Sequence, residues 1–136
     1  MSRGWADLEL IDQAPDCIAI GDVNQQSLFP RVAAVVHHGG AGTTLAAARA
    51  GAPQVVVPMF GDQPFWASRM RDLGIGTSVP IAELTADRLA SALHDASDPA
   101  IAERAGSIAG RIVVDGAAVA ARQVCHAAAH GHGDRR

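Results

Sequence analysis

Two segments of the chain combine residue types that can bind an anion and a sugar. The first is residues 37–44, HHGGAGTT, where two histidines precede a glycine-rich turn and two threonines. Glycine lets the backbone approach a ligand closely, and the first N–H groups of a helix lack partners and lie at the positive end of its dipole. Such a turn is suited to phosphate, with His38 as a side-chain donor and Thr43 as both helix cap and hydroxyl donor.

The second segment is residues 58–64, PMFGDQP, which follows an apolar run. Asp62 and Gln63 offer a carboxylate and an amide, groups that exchange hydrogen bonds with sugar hydroxyls. Helix capping explains this pattern equally well, because Asp62 stands just before Pro64. For residues 37–44, the alternative is a glycine turn that serves only the tight packing of a strand against a helix.

Two common phosphate motifs are excluded by the residues present. The P-loop requires a lysine, and all 11 basic residues of the chain are arginine. The dinucleotide fingerprint requires a glycine three residues after Gly42, where the chain has Leu45. The glycine-rich turn is therefore of another kind.

The elements that position these segments follow from the alternation of short apolar runs with alanine-rich stretches, which is typical of a Rossmann-like α/β fold with a parallel sheet. The unbroken run Val55, Val56 and Val57 predicts a central strand covered on both faces. Because parallel strands end at one edge of the sheet, both segments should face one crevice. Strands are predicted over residues 17–20, 33–36, 54–58 and 76–79, and helices over 43–50, 68–73, 85–95, 99–114 and 117–129.

Length and composition narrow the class of protein. The 136 residues suit one domain, predicted over residues 1–129, with a flexible tail over 130–136. A net charge of -3 without a basic stripe argues against a nucleic-acid partner. The apolar runs are shorter than the roughly 20 residues that span a bilayer, and the N-terminus lacks a signal peptide. Cys17 and Cys125 lack the spacing of a disulfide framework or zinc site, so a cytoplasmic protein is expected.

Residues 22–31, DVNQQSLFPR, complete a pattern with the two segments. Together they resemble the bacterial family 1 glycosyltransferases, most closely those that glycosylate glycopeptide antibiotics, macrolides and sterols. The resemblance is strong over residues 4–76 and implies the C-terminal, donor-binding half of a GT-B fold. Because the chain opens on a turn at residues 3–5 with no strand ahead of it, the domain is expected to be incomplete upstream.

The resemblance implies a role for each part of the pattern. Plant relatives begin the first part with a tryptophan that stacks on the base, where this chain has Asp22, so the base would be held through the backbone of Val23. Where those relatives have a glutamate that grips the ribose, this chain has Ala46, which leaves room for a UDP-sugar or a dTDP-sugar. The implied sites are the diphosphate at His38, Gly40, Gly42, Thr43 and Thr44, the sugar at Asp62 and Gln63, and the nucleoside at Val23 and Gln25.

The implied reaction is inverting transfer of the sugar to a hydroxyl of a small-molecule acceptor. No DxD motif is present, which agrees with a diphosphate held without a metal ion, and no cofactor is expected. In the family the general base belongs to the N-terminal acceptor-binding domain, so no catalytic residue is assigned here, and neither His37 nor His38 is taken as the base. His126, His130 and His132 are expected to be solvated, and the chain alone is expected to be inactive.

Other functions remain open at this point. One is a stand-alone module that binds a nucleotide sugar or a partner without catalysis. Another is a nucleotide-sugar enzyme of a different reaction, such as an epimerase or a GlcNAc transferase, against which residues 61–64, GDQP, argue. An incomplete sheet would also leave an unpaired edge, which suggests a homodimer formed by strand exchange as a hypothesis.

Overall fold

The computed structural model describes residues 14–130, and the predicted turn at residues 3–5 and His132 lie outside this range. The described residues form an α/β fold, as the sequence predicts. The strands are β1 (Val35–His37), β2 (Gln54–Val56) and β3 (Gly76–Ser78). The helices are α1 (Gln25–Leu28), α2 (Ala41–Arg49), α3 (Gln63–Asp72), α4 (Ala86–Ala96), α5 (Pro99–Ala109) and α6 (Gly116–His130), with short 3₁₀ turns at Phe29–Arg31 and Ile81–Glu83.

The three strands form one parallel sheet in the order β1-β2-β3. In this register His37 lies beside Val56, and Val56 lies beside Ser78. Helices α2 and α3 connect consecutive strands, so the β1–α2 turn and the β2–α3 turn both lie at the carboxyl edge of the sheet.

The central strand carries the core on both faces. Val55 and Val56 are fully buried, and burial of one valine side chain contributes about 1.5–3 kcal/mol. Helices α2, α3 and α5 pack against Val56 on one face of the sheet, and α4 packs against Val55 on the other. Val36 of β1 lies on the same face as Val55 and remains 44% exposed. The cluster around Val56 contains Ala48, Ala67, Met70, Ile75 and Ala105.

Two helix boundaries follow the sequence signals closely. The chain after α2 turns at Gly51, whose φ of +67° is the left-handed conformation expected of a glycine that ends a helix. Helix α4 begins after Thr85, whose hydroxyl accepts a hydrogen bond from the N–H of Arg88 at 3.2 Å. The helix end predicted at residue 50 and the helix start predicted at residue 85 each lie within one residue of the observed bound.

Other boundaries differ from the prediction. Residues 17–20 form no strand, and only Ile20 makes an isolated β-bridge, because this run is not buried between helices and Ile18 is 72% exposed. Helix α3 begins at Gln63 rather than at 68, since a proline is well tolerated in a first helical turn. Helix α5 ends before Gly110 rather than at 114, because the residues that follow are a glycine and β-branched residues of low helix propensity.

Two further predictions concern surfaces of the chain. Strand β1 is at one edge of the described sheet, and the predicted homodimer that would cover such an edge stays a prediction. Within residues 14–130, no helix combines the length and the apolar content needed to cross a bilayer.

Candidate functional site

The start of α2 presents several backbone donors. The helix begins at Ala41 with Gly40 as its N-cap, two residues earlier than predicted, so the expectation that Thr43 caps the helix is wrong. No side chain caps this end, and no acidic residue lies in the first turn. The N–H groups of Ala41, Gly42 and Thr43 therefore have no partner in the helix and lie at the positive end of its dipole. This arrangement is suited to an anion.

Thr44 lies behind this end of the helix and is almost fully buried. Its hydroxyl donates to the Gly40 carbonyl at 2.9 Å, and its N–H donates to the same oxygen at 3.0 Å. Both donors of Thr44 are thus engaged within the protein, and they fix the position of the N-cap residue. Thr43, one residue earlier, is only partly buried.

Gly39 brings the two polar segments into contact. Its φ of +91° is in the region that favours glycine, and an added Cβ would lie 2.8 Å from Cγ1 of Val56 and 3.2 Å from the carbonyl oxygen of Gln63. The turn after β1 therefore packs directly on β2 and on the first residue of α3. No larger residue fits here without displacing one of these neighbours.

His37 and His38 have different surroundings. Nε2 of His37 lies 2.8 Å from Oε1 of Gln54, and its Nδ1 accepts the N–H of Gly39 at 3.0 Å. Burial lowers the pKa of His37 below its usual range, with a smaller lowering from the charge of His38, while the bond to Gln54 acts in the opposite direction. His38 is exposed, and its Nε2 lies 2.5 Å from where a Cβ on Gly40 would stand. The ring of His38 is thus beside the open end of α2.

Asp62 and Gln63 differ in how far their side chains are engaged. Oε1 of Gln63 accepts the N–H groups of Met59 and Phe60 at 2.8 Å and 3.2 Å, and the side chain is buried. Asp62 occupies the N-cap position of α3, yet its side chain does not cap the helix and accepts the indole N–H of Trp66 at 2.9 Å. Gln63 therefore shapes the turn before α3, whereas the carboxylate of Asp62 remains at the surface.

An open groove of about 1100 Å³ runs along α2 from its first turn to its last. Val23 and Gln25 lie on one side of it, and Gly42 and Ala46 belong to its α2 wall. The groove also reaches Arg49, which is not among the residues predicted for the site. The spacing of Gly42, Ala46 and Arg49 at i, i+4 and i+7 places them on one helix face, and this signal was available in the sequence.

The groove therefore connects Val23 and Gln25, which are predicted to hold a nucleoside, with Gly42 in the first turn of α2. Within residues 14–130, no three His, Cys, Asp or Glu side chains are grouped closely enough to hold a metal ion.

Comparison with known proteins identifies the family. The family described as erythromycin biosynthesis protein CIII-like, C-terminal domain, matches residues 5–126. The chain belongs to this family. It is 57% identical over 122 residues to the vancomycin aglycone glucosyltransferase of Amycolatopsis orientalis, an alignment that covers 90% of this chain and 30% of that protein. The chain is therefore a glycosyltransferase C-terminal domain, and it spans about 30% of the length of that protein and of the glycosyltransferase GtfE from the same organism.

Solved structures agree with this assignment. The chain is similar to the glycosyltransferase of kitacinnamycin, with a TM-score of 0.70 and 34% identity over 80% of this chain and 29% of the other. It is also similar to the glycosyltransferase VinC in complex with dTDP, with a TM-score of 0.68 and 32% identity over 74% of this chain and 26% of the other. The fold is thus the C-terminal half of a GT-B glycosyltransferase, as the sequence predicts.

Proposed function

We propose that this domain binds a UDP-sugar or dTDP-sugar and presents it for transfer to a hydroxyl of a small-molecule acceptor. The observation that carries the proposal is the uncapped start of α2, where Gly42 in the first turn lines one end of the groove. A diphosphate requires several donors in one place, and a connected groove gives its nucleoside a place to lie. The relatives, all glycosyltransferases by name, support a nucleotide-sugar donor.

The diphosphate would bind at the N–H groups of residues 41–43, with the imidazole of His38 and the hydroxyl of Thr43 as side-chain donors. Each hydrogen bond to a charged oxygen contributes about 1.5–3 kcal/mol, and the helix dipole adds about 0.3–1 kcal/mol. Several such bonds hold a diphosphate without a metal ion. Thr44 would contribute by keeping Gly40 in place, because its own donors are engaged.

The nucleoside would lie in the groove between Val23, Gln25 and Ala46. Alanine at position 46 presents no acceptor to a ribose 2′-hydroxyl, so thymidine and uridine nucleotides are both accommodated. A dTDP complex of a structural neighbour supports thymidine nucleotides among the donors.

The sugar would lie at the turn before α3. The surface carboxylate of Asp62 accepts hydrogen bonds from sugar hydroxyls. The carbonyl of Gln63 is engaged with the backbone, so its NH₂ group is the part of that side chain left for a ligand. This turn lies against Gly39, next to the proposed diphosphate site, which is the arrangement that a nucleotide sugar requires.

In the proposed reaction the acceptor hydroxyl attacks the anomeric carbon and the diphosphate leaves with inversion. The donors at the start of α2 and His38 stabilise the charge that develops on the leaving diphosphate. The acceptor site and general base would come from protein outside this chain, because the chain matches only 30% of the vancomycin aglycone glucosyltransferase. That relative's name supports a natural product as the acceptor. A cytoplasmic location stays a prediction.

Calorimetric titration of the chain with UDP, dTDP and their glucose conjugates tests the proposal. The buffer contains EDTA, so that any binding is independent of divalent metal. The His38→Ala variant should bind roughly 10- to 150-fold more weakly, the loss expected for one hydrogen bond to a charged group. His94→Ala is the matched control, since His94 is exposed at the end of α4, which packs on the other face of the sheet. A folded chain that binds none of these nucleotides would contradict the proposal.

A further inference from the structure

A chain of three hydrogen bonds connects the glycine turn to the core. The N–H of Gly39 donates to Nδ1 of His37 at 3.0 Å, and Nε2 of the same ring lies 2.8 Å from Oε1 of Gln54. The amide nitrogen of Gln54 in turn donates to Sδ of Met70 at 3.3 Å. Gln54 is fully buried, and Met70 belongs to the core cluster around Val56. The turn is thus connected through one imidazole to the centre of the domain.

These contacts assign the protons on the ring. A neutral imidazole has one N–H, so one ring nitrogen donates and the other accepts. Nδ1 receives the N–H of Gly39 and is therefore the acceptor, which leaves the proton on Nε2. Nε2 then donates to the carbonyl of Gln54, in agreement with the amide orientation that directs the nitrogen of Gln54 to Met70. Both ring nitrogens are occupied, and His37 has no donor left for a ligand.

We propose that His37 is a positioning residue for the diphosphate turn, in which a neutral imidazole protonated on Nε2 holds the N–H of Gly39 on one side and the buried amide of Gln54 on the other. The bond to Gly39 helps to hold its left-handed conformation, which directs Gly40 and the free N–H groups of α2. His38 contacts the ligand, and His37 acts through the backbone. This inference rests on the proposed donor site for its effect on binding.

Protonation of His37 would place a second N–H on Nδ1, facing the N–H of Gly39, and the turn would lose its acceptor. Burial lowers the pKa of His37, which keeps the ring neutral at neutral pH. On β2, the residues beside His37 are Gln54 and Val56, and both are uncharged. Within the described part of the chain, His38 is the residue whose charge acts on the His37 ring. Binding at the turn should therefore weaken as the pH falls through the titration of His37.

Two variants separate the two bonds of the ring. In His37→Asn, Oδ1 occupies the position of Nδ1 and accepts the N–H of the residue two positions later, as asparagine does in turns, while the bond to Gln54 is lost. In His37→Gln, the amide nitrogen reaches the position of Nε2 and keeps the bond to Gln54, while the bond to Gly39 is lost. Neither side chain titrates.

The first readout is the affinity for dTDP and UDP between pH 5 and pH 8. His37→Asn should bind nearly as well as the wild type at pH 8, whereas His37→Gln should bind roughly tenfold more weakly, because a backbone N–H of the turn has lost its acceptor. The ratio of wild-type to His37→Asn affinity should decrease as the pH is lowered below 6.5, and the titration of the nucleotide cancels in this ratio. Equal affinities for His37→Asn and His37→Gln at pH 8, or a ratio that rises as the pH is lowered, would overturn the proposal.

The second readout is independent of any nucleotide. In ¹⁵N-labelled protein, the His37 shifts should report a proton on Nε2, and a coupling across the hydrogen bond should connect Nδ1 with the Gly39 nitrogen. Amide exchange at Gly39 should be faster in His37→Gln than in His37→Asn. A proton on Nδ1, or equal exchange in the two variants, overturns the role of His37. If the wild type binds no nucleotide while these signals are present, the donor proposal fails and the positioning of the turn stands.

Discussion

Replacement of Gly39 by alanine should lower the free energy of unfolding through two separate effects. The φ of +91° at Gly39 imposes strain on any residue with a Cβ, and left-handed conformations cost about 1–2 kcal/mol. The new Cβ would also lie 2.8 Å from Cγ1 of Val56, and overpacking of this kind costs about 1–3 kcal/mol. The expected loss for Gly39→Ala is therefore about 2–5 kcal/mol, a large part of the stability of an ordinary domain.

Two other glycines separate these effects. Gly61 has a φ of +65° with nothing within 4 Å of an added Cβ, so Gly61→Ala should show the strain alone, about 1–2 kcal/mol. Gly42 is helical and equally open, and Gly42→Ala should leave stability unchanged or raise it by about 0.5–1 kcal/mol. The difference between Gly39→Ala and Gly61→Ala then measures the contact with Val56 and Gln63.

Urea unfolding followed by far-UV circular dichroism gives these differences, provided that the m-values of the variants agree. A double-mutant cycle with Val56→Ala should show that Gly39→Ala costs about 1–3 kcal/mol less when the methyl groups of Val56 are absent. A loss for Gly39→Ala no greater than that for Gly61→Ala would refute the close packing of the turn against β2. A double-mutant cycle that shows no coupling between positions 39 and 56 would also refute this packing.

Three further predictions concern the same site. Thr44→Val removes the hydroxyl bond to Gly40 but keeps the shape of the side chain and the backbone bond, so it should cost about 1 kcal/mol in urea unfolding; a neutral effect would contradict the bond. Burial lowers the pKa of His37 in the folded state, so the unfolded chain binds more protons than the folded chain near pH 6. The free energy of unfolding should therefore be highest above pH 6.5 and decrease as the pH falls toward the folded-state pKa, by up to about 1.4 kcal/mol per pH unit. His37→Asn should flatten this part of a stability profile measured by urea unfolding, and an unchanged slope would assign the effect to another group. Ala46→Glu should place a carboxylate in the groove. Because the ribose of UDP has a 2′-hydroxyl and the deoxyribose of dTDP does not, this variant should increase the preference for UDP over dTDP roughly tenfold in calorimetric titrations. Equal changes in affinity for both nucleotides would show that residue 46 does not contact this hydroxyl.

The central strand and two helix ends could be predicted from the sequence. The run of three valines predicted a strand buried on both faces, and Val55 and Val56 are its most buried residues. The end of α2 before Gly51 and the start of α4 after Thr85 were predicted to within one residue, because capping depends on residues adjacent in the chain. Residues 17–20 have the same apolar character but form no strand, since the outcome depends on which helices cover them.

The site was predictable only in part, for a related reason. Glycines and histidines at residues 37–44 indicated an anion site from local chemistry alone. The internal bonds of Thr44 and Gln63 were not foreseen, because a side chain suited to a ligand is equally suited to its own backbone. The role of His37 depends on Gln54, which is 17 residues away in sequence and adjacent only through the pairing of β1 with β2.

The contact of Gly39 with Val56 and Gln63 also has a consequence for engineering. Exchange of the turn before α3, the proposed sugar site, between related proteins is one way to test for a change in donor specificity. Because Gly39 packs on Val56 and Gln63, a different residue 63 or a bulkier residue 56 would also shift the proposed diphosphate turn. A chimeric protein should therefore exchange the whole segment from β1 to α3, so that the glycine turn, β2 and the turn before α3 come from the same parent.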